Sequence, residues 1–279
     1  MTGLAGRAAE ILNSARPDDK IRLSLALAED WRQGRIAEIG RADPPLHPAR
    51  PEKPEIRPPG RMPRRGPGGS GKATLLHALA HIEFNAIDLA WDIIARYTGQ
   101  DLPRDFYDDW VKVAEDETRH FSLLCGLLRD QGSDYGAFPA HGGLWEAAEK
   151  TASDLQARLA VVPMTLEARA LDTAPPLMEK LRQAKDEKTL AVMQRILDDE
   201  IAHVTIGSRW FAFVCQRRGE DPAAAYQRLV APHFPKGLKP PFNEPGRRQA
   251  GLPADFYRPL ARAALERRPK AEPKGSFRL

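Results

Sequence analysis

Apolar positions recur at helical spacing along four long stretches of the chain. In residues 73–98 the series Leu76, Leu79, Ala86, Ala90 and Ile94 runs down one face, and Glu83 belongs to the same series. Residues 104–130 present Trp110, Val113, Glu117, His120, Leu124 and Leu127 on one side. Residues 144–171 form a third segment, which Pro163 is expected to kink or restart. Residues 186–218 repeat the second pattern as Met193, Ile196, Glu200, His203, Gly207 and Trp210. Shorter helices are predicted at 3–15 and 21–36, broken at Arg16-Pro17-Asp18-Asp19. Others are predicted at 175–184 behind Pro175-Pro176, at 222–230, and at about 254–268. No segment alternates with a strand period. The pattern predicts an all-α protein built on a four-helix bundle.

The punctuation between these segments divides the chain. Residues 1–42 are expected to form an N-terminal helical cap. The nine prolines within 43–69 make 43–72 a linker or arm. The bundle is assigned to 73–220, a Pro-rich C-terminal arm packing on it to 221–262, and a basic flexible tail to 263–279. The arm's Pro240-Pro241-Phe242-Asn243-Glu244-Pro245-Gly246-Arg247-Arg248 is read as pinned to the bundle by Phe242 and ion pairs, rather than as a cover over the site. The run Gly66-Pro67-Gly68-Gly69-Ser70-Gly71-Lys72-Ala73 looks like a phosphate-binding loop. It fails as one, because Ala73 stands where a magnesium-binding hydroxyl is needed and no strand precedes it.

Two of the long segments carry nearly the same words: Asp116-Glu117-Thr118-Arg119-His120 and Asp199-Glu200-Ile201-Ala202-His203. Each is preceded by a lone glutamate at a matching distance, Glu83 before the first and Glu167 before the second. Residues three apart on a helix share a face, so Glu117 with His120, and Glu200 with His203, can each reach one point. Both pairs sit among large apolar residues. An unpaired carboxylate there costs several kcal/mol, so four carboxylates and two imidazoles on inward faces call for cations. Two divalent ions would neutralise the four glutamates. Carboxylate and imidazole without thiolate suit iron, with manganese or a mixed pair as alternatives. In this arrangement, known for ferritin-like carboxylate proteins, Glu117 and Glu200 would bridge or chelate both metals, while Glu83 with His120 and Glu167 with His203 complete the shells, the spatial pairing of each glutamate with a histidine being left open by the sequence. Asp116 and Asp199 would accept the outer imidazole N–H, either along their own helix or across to the other one. Arg119 would balance an aspartate. His77 and His81 are read as non-ligands.

These residues resemble a known group. Asp116-Glu117-Thr118-Arg119-His120 is similar to the Asp-Glu-x-Arg-His motif of bacterial di-iron monooxygenases. His77 to Glu83, Leu166 to Asp172, and Pro240-Pro241-Phe242-Asn243 resemble a ferritin-like family catalogued as domain of unknown function 455. The resemblance implies a ferritin-like bundle with a di-iron centre. The expected function is an oxidoreductase activating O₂ or peroxide on a small-molecule or macromolecular substrate, with an electron donor. Trp91, Trp110, Trp210 and Phe121 lie along the segments that would build its pocket, and the Pro-rich arms are candidates to close it. Alternatives are a ferroxidase without organic substrate, or a metal-clamped interaction protein.

Composition narrows the rest. The net charge of +4 is concentrated in Arg258–Leu279, which holds seven basic and two acidic residues, so nucleic acid is disfavoured for the body. Cys125 and Cys215 make no zinc or disulfide pattern and are expected to be buried apolar residues. The N-terminus lacks an apolar signal core, and no uncharged apolar run approaches the ~18 residues of a membrane span. A cytoplasmic protein is expected.

Overall fold

The computed structural model describes residues 3–58 and 70–262. Among these the chain is all-helical and holds no strand. Two isolated bridges, Ile56 with Ala140 and Leu238 with Ala261, tie loop segments together. The order is α1 (Leu4–Leu12), α2 (Pro17–Arg32), α3 (Ser70–Arg96), α4 (Arg104–Asp130), α5 (Gly143–Lys150) and α6 (Leu155–Val161). A π-helical turn (Val162–Glu167) then leads into α7 (Ala168–Gln183). α8 (Glu187–Arg218), α9 (Pro222–Val230), α10 (Glu244–Gln249) and α11 (Ala254–Tyr257) follow. The first half of the phosphate-loop look-alike, 66–69, lies outside the described residues, its second half starts α3, and the basic tail from 263 onward lies outside them too.

α3 packs along α4, α7 packs along α8, and α4 meets α8 between the two pairs. α1 lies on α3, α2 lies on α4, and α9 lies on α6 and α8. Phe84, Trp91, Phe121, Leu124, Leu159, Met164, Leu171, Val204 and Phe211 fill the interior, each almost wholly removed from water. No described helix is long and apolar enough to cross a membrane.

Local chemistry explains where the predicted boundaries moved. The supposed break at Arg16–Asp19 is the start of α2. Pro17 occupies the first helical position, where its missing N–H costs nothing, and Asp18 and Asp19 meet the positive end of the helix dipole. The third long segment breaks earlier than predicted, at Thr151–Asp154. Asp154 then caps α6 by accepting from Gln156 N at 3.1 Å. From Leu155 to Gln183 the chain stays helical, and neither proline site stops it. Pro163 is absorbed by the π-helical turn, where Thr165 Oγ1 donates to the Ala160 carbonyl at 2.8 Å. Pro175 and Pro176 sit inside α7. The Leu171 carbonyl, which Pro175 cannot serve, accepts instead from Asn243 Nδ2 at 3.0 Å. The predicted final helix is shorter: α11 ends at Tyr257 and a 3-10 turn (Arg258–Leu260) follows.

Asn243 belongs to a segment held firmly against α7. The buried Arg247 grips Asp172 with Nε at 2.9 Å and Nη2 at 2.7 Å, and its guanidinium lies over Phe242 and Tyr257. Asn243 N donates to the same carboxylate, and Arg169 reaches the Lys239 and Pro241 carbonyls. This is the pinned arrangement expected of the Pro240–Arg248 stretch. Arg50, from the earlier Pro-rich stretch, joins the fully buried Lys20 on Asp88 of α3.

Candidate metal centre

Glu83 from α3, Glu117 and His120 from α4, and Glu200 from α8 converge in the interior. Each is 5% exposed or less, and one ligand atom from each lies within 4.8 Å of all the others. Glu117 is the hub. Its Oε1 is 3.0 Å from His203 Nδ1, and its Oε2 is 3.4 Å from His120 Nδ1. Glu83 Oε2 is 3.6 Å from His120 Nδ1, and Glu200 Oε1 is 3.8 Å from His203 Nδ1. The imidazoles stand 5.8 Å apart, centroid to centroid. Glu167 closes the π-helical turn. It stands outside the tight group of four, close enough for Glu117 and Glu200 to push its carboxyl further upward after burial.

Both histidines turn Nδ1 inward and Nε2 outward, and the outward contacts cross between helices. His120 Nε2 lies 3.0 Å from Asp199 Oδ2, and His203 Nε2 lies 3.3 Å from Asp116 Oδ2. Of the two arrangements expected for these aspartates, the one across to the other helix is found. Two cations complete the pattern. Lys112 pairs with Asp116 and Arg195 pairs with Asp199, each four residues ahead on its own helix. Sequence reasoning missed both, although they are separated by the same 83 residues that relate His120 to His203. Arg119 divides itself between Glu115, at 2.6 Å, and Asp116, at 3.4 Å.

The protonation tendencies show how these side chains balance charge by themselves. Burial pushes Glu83, Glu167 and Glu200 up toward the neutral acid, and the nearby Glu117 charge adds to the effect. Burial would raise Glu117 too, but His120 and His203 outweigh it and hold this carboxyl below its usual range. Burial would lower the imidazoles; Asp199, Glu117 and Glu83 instead push His120 up to about 12. Asp116, Glu117 and Glu200 do the same for His203. Hydrogen bonding is nevertheless incomplete. Glu117 Oε1 and Oε2, His120 Nδ1, Glu167 Oε2, Glu200 Oε2 and His203 Nδ1 are buried without a hydrogen-bond partner. These atoms come from the five residues in or around one small volume, and oxygen and imidazole nitrogen are the donor set of a first-row divalent metal.

The other singled-out residues fall elsewhere. His77 accepts from Gly136 N at 2.9 Å, and His81 contacts the Tyr135 hydroxyl at 2.8 Å; burial pushes both down to about 4. Neither touches the centre. Trp91 donates to Ser24, Trp210 donates to Asp109, and Phe121 packs on Phe84 and Tyr135. Cys125 and Cys215 are buried free thiols.

The helices and this cluster define an all-α protein with a buried carboxylate–histidine group able to hold a metal ion. Its family is the one described as "Protein of unknown function (DUF455)": the chain belongs to it, matching over residues 13–258. It is similar to an uncharacterized protein of Haemophilus influenzae, with 39% identity over 254 residues, 86% of this chain and 88% of that protein. No solved structure matches the chain significantly.

Proposed function

We propose that the chain is a ferritin-like four-helix protein with a two-iron carboxylate centre, acting as an oxidoreductase on O₂ or peroxide. The ligands are Glu83, Glu117, His120, Glu167, Glu200 and His203. The reading is carried by the buried orphaned atoms of Glu117, His120, Glu167, Glu200 and His203. Leaving a buried polar group unpaired costs about 1–3 kcal/mol each, and two cations relieve all of them at once. Glu117, in contact with both imidazoles, would hold both cations.

When bound, iron supplies the redox chemistry at oxygen. The chain does the rest. Asp116 and Asp199 fix each imidazole with Nδ1 inward, and Lys112 and Arg195 hold those aspartates in place. The apolar helix faces exclude water. The test is metal analysis after anaerobic iron loading, followed by O₂ uptake. About two irons per chain are expected, falling to none in Glu117→Ala, with O₂ consumed faster than by free iron. Zero or one tightly bound metal would overturn the two-iron reading. Inertness toward both O₂ and peroxide would leave a metal-clamped structural protein.

A further inference from the structure

The two edges of the centre differ in their access to water. At one, the Asp116 side chain behind His203 is 3% exposed. At the other, the Asp199 side chain behind His120 is 20% exposed. That second pair lines a cavity of about 360 Å³ between α2, α4 and α8. Arg119 and Arg195 line it as well, together with the apolar Leu25 and Leu123. Leu123 is among the few large apolar side chains left exposed, at 41%. Eighty-three residues further on, Arg119 is matched by Ala202 and Leu123 by the half-buried Ile206. The cavity is therefore lined in part by residues at which the two motif copies diverge.

Its chemistry selects a ligand. Arg195 commits Nε to Asp199 at 2.8 Å, and its terminal nitrogens make no hydrogen bond among the described residues. Arg119 spends Nη2 on Glu115 at 2.6 Å and holds Asp116 with Nη1 only at 3.4 Å. Asp199 meets the Arg195 charge and Glu115 meets that of Arg119, so the lining has no surplus for a phosphate dianion; what it offers is the unused donors of the Arg195 fork, enough for one carboxylate. A guanidinium fork matches a carboxylate, and the leucines offer an apolar wall. The volume is at the lower end for a small-molecule pocket.

We propose that this cavity is the substrate mouth of the centre and that it takes a small organic acid. The carboxylate sits on Arg119 and Arg195, and the carbon chain lies on Leu25 and Leu123 with its reacting end toward His120. This assignment rests on the two-iron reading for its chemistry, but its binding step can be read separately.

The probe is hexanoate, titrated calorimetrically against both the apo and the iron-loaded protein, with hexanol as the neutral control. Hexanoate is expected to bind both forms, about tenfold or more tighter than hexanol. Arg119→Gln/Arg195→Gln should remove that preference in the apo protein, where the metal does not enter the reading, with folding checked by circular dichroism. Leu123→Trp, at an exposed position that folding tolerates, should block the probe by filling the mouth. Equal binding of hexanoate and hexanol would overturn the acid class. Hexanoate binding that survives both variants would overturn the location. Binding only to the iron-loaded form would make the carboxylate a metal ligand and overturn the arginine assignment. Hexanoate bound as described by a protein that takes up no iron would sink the two-iron reading and leave the cavity's ligand class standing.

Discussion

α3 and the α6–α7 rod present the same chemical group, Glu83 and Glu167, to the same volume, and they do so by opposite mechanical means. α3 is uninterrupted for 27 residues and is braced by buried ion pairs: Lys20 and Arg50 on Asp88, and Arg158 on Asp92. The α6–α7 rod contains three prolines and a π-helical turn, and it is braced from outside by Asn243 and Arg247. Glu83 falls inside the tight ligand group, while Glu167, at the end of the widened turn, stands back from it. A straight helix braced by buried ion pairs fixes Glu83. On the proposed two-iron reading, a π-helical turn, a feature common at functional sites, would leave Glu167 room to adjust.

This contrast can be broken most severely at the outer brace. Asp172→Ala should destabilise the protein by about 3–5 kcal/mol, because it leaves the Arg247 guanidinium, 2% exposed, without its carboxylate. Chemical denaturation measures this, and a loss below about 1 kcal/mol would show that the C-terminal segment does not brace α7. Next comes the second half of the centre itself. Asp116→Asn should weaken metal binding by about 10–100-fold through His203. Competition with a chelator reads the change, and an unchanged affinity would deny the crossed contact its role.

Gly207→Ala probes the π-helical turn. A Cβ at Gly207 would lie 2.7 Å from Pro163 Cβ and 2.9 Å from Cγ, so α8 must move off the turn. The expected cost is about 1–3 kcal/mol, and an unchanged melting temperature would mean that the turn is soft enough to yield. The smallest effect is expected on the α3 side. His77 and His81 are held neutral, near 4 against an unfolded value of about 6.5. Between those values the unfolded chain takes up protons that the folded one refuses, so stability falls as pH drops from about 6.5 to 4. His81→Gln should flatten that drop in melts at pH 7.5 and 4.5; an unaltered slope would place the acid sensitivity elsewhere.

The sequence was most legible where a pattern was long or repeated. The boundaries of α4 and α9 fell where periodicity and their prolines put them, and the paired motifs led to the residues of the cluster. The rod carrying Glu167 was misjudged for a physical reason. Local rules treat Pro163, Pro175 and Pro176 as breakers, yet the donor that satisfies the Leu171 carbonyl comes from Asn243, 72 residues away. Lys112 and Arg195 were visible in principle, since they obey the motif's own offset, but an isolated basic residue on a helix carries no signal until its partner is known. Lys20 was hidden altogether, because its ion pair with Asp88 exists only once α2 lies on the bundle. The cavity could not be read from Trp91, Trp110, Trp210 and Phe121, which were expected along the pocket and do not line it. Its walls are supplied by α2, α4 and α8.

The crossed contacts have a consequence for how such a chain is put together. Asp116 meets His203 and Asp199 meets His120, so position i of one copy touches position j of the other, and j touches i. That is the rule of an isologous interface between two identical subunits. Here it is written within a single chain. Each half supplies the clasp for the other half's imidazole and lacks one for its own, so a lone half would be an incomplete piece, whereas two copies of the same half would satisfy each other.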